Sequence, residues 1–279
     1  MNIRVVTDSA CDLPDDLVDK HRIEIVPLTI RFGDLEFVDR FELDSEAFWT
    51  RVADSDTLPE TSAPSAGAFE KTFTKLFDEG ADAILCVNLA SRLSATMQSA
   101  EVAAKSVADR GNVRVVDSLS VSLIQGNLAV TAAERAEAGD DLDAVVTEVE
   151  RQRDHGRLYA TLDTLENLRK GGRIGGAQAL LGSMLSIKPI VTFTDGEVTP
   201  LAKVRTRGKS LRWLVDKVAE EKVEHVGVVH ADASDLDDFL EMLRPVVPGE
   251  DIIVGTIGPV VGTHSGPGAI AVTFTTVDD

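Results

Sequence analysis

The chain has few cysteines, few histidines and too few basic residues to balance its acids, and each shortage closes off a class of function. The two thiols, Cys11 and Cys86, lie far apart and form no CxxC pair. That excludes a disulfide framework and points to reduced, intracellular residues. Cys86, within the apolar run Ala83-Ile84-Leu85-Cys86-Val87, reads as core packing. The five histidines are scattered, with no HExxH spacing, so no metal site is expected. Lysine and arginine number 28 against 47 acidic side chains, for a net charge of −19. Such a field repels nucleic acid and anionic membrane surfaces, so neither is an expected partner. It also repels small anions at long range, so any anion bound here must be held by local hydrogen bonds. No run approaches the ~20 apolar residues of a membrane span. The start, Met1-Asn2-Ile3-Arg4-Val5-Val6-Thr7-Asp8, lacks a basic region followed by an apolar segment. No signal peptide is therefore expected, and the expected location is the cytoplasm.

What remains fits a globular protein of 279 residues, 43% apolar, enough for one large domain or two ordinary ones. The first half alternates. Strands are expected at 3–7, 23–30, 83–89 and 113–116, and helices at 15–21, 45–52, 67–78, 94–109, 119–138 and 142–153. Repeated strand–helix–strand units imply parallel pairing. The second half is mixed. A strand at 157–162 precedes helices at 163–170 and 175–185. A hairpin follows over 188–194 and 197–204, turning at Asp195-Gly196. Then come a helix at 209–221, a strand at 225–230, a helix at 235–243, and strands at 252–257 and 269–274. The expected class is two-domain α/β: a parallel-sheet domain over 1–156 and an α+β domain over 157–279.

Three segments carry chemistry. Residues 258–268, rich in glycine and proline around Thr263, His264 and Ser265, read as an irregular loop. Its amides would lie beside His264 as an anion-sized cradle. The plain alternative is a tight connection between strands. Thr61-Ser62-Ala63-Pro64-Ser65 precedes a helix, and Ser91-Arg92-Leu93-Ser94-Ala95-Thr96 follows a strand and opens one. Hydroxyls at such places serve as helix N-caps. They also stand where open α/β sheets bind ligands and where helix N-termini favour anions. With His264 they suit one carboxylate. Catalytic readings fare worse. No G-x-S-x-G occurs, and Gly262-Thr263-His264-Ser265-Gly266 puts its serine one position late. Gly208-Lys209-Ser210 lacks the first glycine of a Walker loop. Gly266-Pro267-Gly268-Ala269-Ile270-Ala271 fits G-x-G-x-x-A only as letters, since a strand follows it.

Taken in order, the motifs resemble the DegV family of bacterial fatty-acid-binding proteins, the lipid-carrying subunits of fatty acid kinase. The pieces are Thr7-Asp8-Ser9 with Asp12-Leu13-Pro14, Thr61 to Ser65, Leu93 to Thr96 with Gln98-Ser99-Ala100, Asp117-Ser118, Leu165 to Ile174, Lys188-Pro189, and Gly258 to Gly268. The resemblance implies one long-chain fatty acid, such as palmitate, lodged between two domains. It implies Thr61 and Ser94 on the carboxylate, Ser62 and Ala95 beside it, and His264 as a nearby donor. The acyl chain would run into an apolar tunnel. It further implies no cofactor, no catalytic residue in this chain, and a separate kinase subunit that makes the acyl phosphate, met in part by Arg173. The plain reading of Arg173 is a solvated loop residue. The chain departs from the family pattern at Ala90, Ala95, Ile124 and Ala271, and Ile124 would alter the tunnel if it lined it. Two other readings stand beside the carrier: a hydrolase or acyltransferase using Ser94 or Ser62 with His264, and a lipid-sensing regulator with no kinase partner.

Overall fold

The computed structural model describes residues 1–55, 57–180, 187–249 and 251–277. The first half runs β1 (Ile3–Asp8), α1 (Asp15–Lys20), β2 (Glu24–Val26), β3 (Thr29–Phe32), β4 (Leu35–Val38), α2 (Ser45–Ala53), β5 (Glu60–Ser62), α3 (Ala66–Asp78), β6 (Ala83–Asn88), α4 (Thr96–Ser106), β7 (Asn112–Asp117), α5 (Leu123–Glu137) and α6 (Leu142–His155). The second half runs β8 (Gly156–Thr161), α7 (Glu166–Lys170), β9 (Lys188–Thr194), β10 (Glu197–Val204), α8 (Arg207–Ala219), β11 (Val223–His230), α9 (Leu236–Leu243), β12 (Ile253–Thr256), α10 (Pro259–Ser265) and β13 (Ile270–Thr276).

A parallel sheet ordered β2-β1-β6-β7 forms the first half, as its strand–helix alternation requires. Both faces are covered, and successive residues of each strand divide between two cores. Val6, Ile84 and Cys86 pack with Phe69, Phe73 and Leu76 of α3. Val5, Leu85 and Val87 pack with Leu123 and Leu128 of α5. Cys11 and Cys86 are buried and free, and burial pushes the Cys86 thiol well up from its ordinary range.

The expected single strand at 23–30 is two strands in two sheets. Pro27 has no N–H for a ladder and fixes φ, so the chain leaves the parallel sheet there. The Leu28 amide then donates to Ser9 Oγ. Beyond it, β3 turns at Gly33-Asp34, with Gly33 at φ +59, into β4. The segment expected as a loop at 58–65 supplies β5, which completes a small antiparallel sheet ordered β4-β3-β5.

The second half holds a mixed six-stranded sheet ordered β10-β9-β8-β13-β11-β12. The hairpin forms as expected, closing at Asp195-Gly196. One sheet face presents Ile190, Val226, Val228, Ile270, Val272 and Phe274 to Leu214 of α8 and Phe239 of α9. The alternate residues, Leu158, Ala160, Val191, Val229, Ala269 and Ala271, turn toward the first half and join the core around α5. One apolar core therefore spans both halves. The helix expected at 175–185 is a two-turn 3-10 helix over Gly175–Leu180, and residues 181–185 lie outside the described ones.

The largest correction is at 258–268. The expected irregular loop is α10, a two-turn helix. Pro259 at its first position costs no hydrogen bond, because the first helical amides have no intrahelical acceptor. The amides of Gly262 and Gly266 close the turns onto Gly258 and Gly262 carbonyls at 2.8 and 2.9 Å. Gly266, at φ +76, ends it. Gly262 lets the helix lie against α2: a Cβ there would stand 3.0 Å from Trp49 Cζ2 and 3.1 Å from Phe48 Cε1. A helix interior hides its amides, so the cradle expected of this segment does not form.

Candidate functional site

Between the halves lies a cavity of about 260 Å³. Its sheet wall is Leu158, Ala160, Leu162, Val191, Phe193, Val229, Ala269 and Ala271. Leu28, Leu89, Leu93 and Val121 face them from the first half, and Val260 and Val261 from α10. The hollow has a local cause. β8 and β13 are neighbours with Ala160 opposite Ala271, and Val229 of β11 opposite Ala271 on the other side. Adjacent alanines on the inward face leave the space that larger side chains would fill.

Thr61, Ser62, Ser94, Ala95, Arg173, His264 and Ser265 are the polar or hydroxyl-loop part of the same lining. β5 carries Thr61, held by its pairing with Ile30 of β3. α10 carries His264 in its last turn. The two side chains meet, with Thr61 Oγ1 and His264 Nε2 3.1 Å apart. Ser94 lies two residues before α4, whose first residue is Thr96 rather than Ser94. Its Oγ accepts the Thr96 amide at 3.3 Å and sits 2.8 Å from Thr96 Oγ1. Ser62 and Ala95 are exposed at the rim, and Thr61, Ser94 and His264 are partly buried.

Arg173 stands half-buried in the cavity wall, not free in a solvated loop. Its Nε donates to Leu93 O at 3.1 Å and its Nη1 to Gly171 O at 2.7 Å. One guanidinium thus bridges the Ser94 loop to the end of α7. Gly171 in turn abuts the His264 ring so closely that a Cβ would lie 2.3 Å from Nδ1. The polar groups therefore form one contiguous end of the cavity: Thr61 to His264, His264 to Gly171, Gly171 through Arg173 to the Ser94 loop.

The imidazole is not a charge carrier here. Burial, with the nearby Arg173 charge adding to it, lowers the His264 pKa to about 4. Its Nδ1 is buried without a hydrogen-bond partner among the described residues. The chemical capacity is that of an amphipathic anion site, with neutral donors and one guanidinium at a polar end and an aliphatic hollow behind. Among the described residues no group of three His, Cys, Asp or Glu side chains is placed to hold a metal, and no helix is long and apolar enough to cross a membrane.

The letters of the sequence do not disclose two participants. Gly171 is one; its only signal is the Gly171-Gly172 pair after a helix. Ser122 is the other, lining the cavity from a positive-φ conformation at the start of α5. Ile124 does not line the cavity. It is buried with its Cδ1 against Gly156, so the departure at this position leaves the cavity wall untouched.

Fold and site together define a class, the two-domain α/β proteins that enclose an apolar cavity with a hydroxyl-rich end. The chain belongs to the DegV family. The family model described as "Uncharacterised protein, DegV family" matches residues 2–277. A DegV domain-containing protein of Listeria innocua is 35% identical over 277 residues, covering 98% of each chain. The fold is shared with a DegV family protein from Thermus thermophilus, whose structure is described by its fatty acid binding. That pair has a TM-score of 0.92 and 32% identity, covering 99% of this chain and 100% of the other. It is likewise shared with DegV of Bacillus subtilis, described as a fatty acid binding protein, at a TM-score of 0.88, 32% identity and the same coverage.

Proposed function

We propose that this chain is a carrier, not a catalyst, which holds one long-chain fatty acid in the cavity between residues 1–156 and 157–279. It works in the cytoplasm, without a cofactor, and presents the carboxylate to a separate kinase subunit that forms the acyl phosphate. The carrying observation is the aliphatic hollow closed by Thr61, His264, Arg173 and Ser94 at one end. Fatty acid binding in relatives of the same fold supports it.

The energetics favour such a ligand. Burying fourteen methylenes of a sixteen-carbon acid contributes roughly 11 kcal/mol gross. Association and ordering oppose about 4 kcal/mol or more of that. Each hydrogen bond to the carboxylate adds about 1.5–3 kcal/mol net. The tail sets affinity, and the head sets direction. With its ring proton on Nε2, neutral His264 donates to Thr61 Oγ1 and leaves the Thr61 hydroxyl proton free for the carboxylate. Ser94, Ser62 and the rim at Ala95 complete the head site, and Arg173 supplies charge there and a surface for the kinase. A hydrolase relay is not assembled: His264 Nε2 faces a threonine, and its Nδ1 has no acid partner among the described residues.

Two outcomes follow. Ser94→Ala is expected to weaken a long-chain acid about tenfold or more, through one lost charge-assisted bond. Calorimetric titration checks it, and unchanged affinity removes Ser94 from the site. The second concerns pH. Were a charged imidazolium the carboxylate's partner, affinity would be full at low pH and fall as the ring deprotonated. A pKa lowered to about 4 leaves His264 neutral across the working range. Affinity should therefore change less than about threefold between about pH 6.5 and 8.5. A steady tenfold decline over that range would restore the charged imidazole. The kinase step is tested by incubating the loaded protein with a fatty acid kinase catalytic subunit and ATP. Hydroxylamine trapping should yield the acyl hydroxamate; none, with the acid demonstrably bound, rejects presentation.

A further inference from the structure

α10 carries His264 but has no N-cap side chain of its own, because its capping position is Gly258. The acceptor comes from the other end of the chain. Asp12 Oδ1 takes the Gly258 amide at 2.9 Å, across 246 positions of sequence. The other oxygen of the same carboxyl accepts from the Ser122 hydroxyl. Ser122 lines the cavity and opens α5 at φ +62 and ψ −147, a conformation that a residue with a Cβ adopts only when its surroundings enforce it. Its own amide is bound to Ala10 O at 2.8 Å, two residues before Asp12 in the chain. Asp12, just past the 3-10 turn that follows β1, therefore ties that segment to the start of α5 and the start of α10, both of which form cavity wall. It is buried, and its side-chain hydrogen bonds among the described residues go to Ser122 and Gly258 rather than to Thr61, Ser94 or His264.

We propose that Asp12 is the positioning residue of the cavity: through two hydrogen bonds it fixes the start of α10, and hence the His264 ring against Thr61, relative to the Ser122 wall. The inference rests on the reading that the cavity takes a fatty acid, and its geometry is independent of that reading. The fit at Gly258 supports it, since a Cβ there would stand 3.0 Å from Asp12 Oδ1 and push the carboxyl away. The charge state supports it too. Burial raises the Asp12 pKa to about 7, against the bonds from Ser122 and Gly258; Asp39 adds to the rise and Arg40 opposes it. A carboxyl so close to neutrality is one that asparagine can replace. The amide oxygen accepts from Gly258, the amide nitrogen donates to Ser122 Oγ, and asparagine tolerates the +50° φ of this position.

The test compares Asp12→Ala and Asp12→Asn in lipid-stripped protein, reading amide exchange over 258–265 and displacement of a fluorescent fatty acid by palmitate. Asp12→Ala is expected to speed exchange of the Gly258 amide and the following turn tenfold or more. It should weaken palmitate by a similar factor. Asp12→Asn should stay within about threefold of the parent in both. Unchanged exchange over 258–265 in Asp12→Ala overturns the proposal, as does an Asn variant as impaired as the Ala variant. Should Asp12→Ala fail to fold, Ser122→Ala serves instead: faster exchange at Gly258 upholds the proposal, and unchanged exchange overturns it. If the parent protein itself binds no palmitate, the carrier reading falls while the exchange data still decide the role of Asp12.

Discussion

Leucine at position 271 is expected to cut affinity for a sixteen-carbon acid by a hundredfold or more. Ala271 faces the cavity between Ala160 and Val229, where two adjacent alanines line the sheet wall. The three added carbons would occupy space that the acyl chain needs. Excluding about five methylenes forfeits about 4 kcal/mol, roughly a thousandfold in affinity. The neighbours Ile270 and Val272 face the opposite core and are undisturbed. The lipid-free variant should melt no lower than the parent, and higher if the leucine settles into the empty hollow. Opposite signs for binding and stability separate a filled cavity from a damaged fold. Calorimetry with palmitate and thermal melts of stripped protein read the two effects. Undiminished binding would place the acyl chain elsewhere.

Gly171→Ala should weaken binding by about tenfold to a hundredfold, because the Thr61 hydroxyl loses the His264 contact that frees its proton for a charge-assisted bond to the carboxylate. The backbone tolerates it, since Gly171 has φ −76. The obstacle is steric: the new methyl would lie 2.3 Å from His264 Nδ1 and 2.8 Å from Cε1. The ring must swing away, and its bond to Thr61 breaks. Because the damage passes through His264, it should nearly vanish in a His264→Ala background. A double-mutant cycle measures this, with a coupling of about 1–3 kcal/mol expected for groups in direct contact. Additive losses would mean that Gly171 acts by another route.

Much of the frame is legible in the residues. The apolar runs of β1 and β6 declare strands buried on both faces, and Asp195-Gly196 declares the hairpin of β9 and β10. The residues at the polar end of the cavity, Thr61, Ser94 and His264, are legible as hydroxyl and histidine motifs. Their conformations are less so. α10 is hidden because glycine and proline punctuate loops far more often than helices, and here Gly262 is required by contact with Trp49, not by a turn. β5 is hidden because Glu60-Thr61-Ser62 is short and polar, and becomes a strand only by pairing with β3. The cavity is not written in any local pattern. Ala160 and Ala271 become neighbours through the β8–β13 register, and a gap between them is a property of that pairing. Long-range pairs such as Asp12 with Gly258 are invisible for the same reason.

The central claim is that the hollow behind Thr61, His264 and Ser94 carries one acyl chain. Denaturing mass spectrometry of freshly purified protein tests it most directly, run beside the Ala271→Leu variant. The parent should release close to one equivalent of a sixteen- or eighteen-carbon acid, and the variant little. A parent that releases no fatty acid and takes up none on titration, or a variant that releases as much as the parent, would contradict the claim.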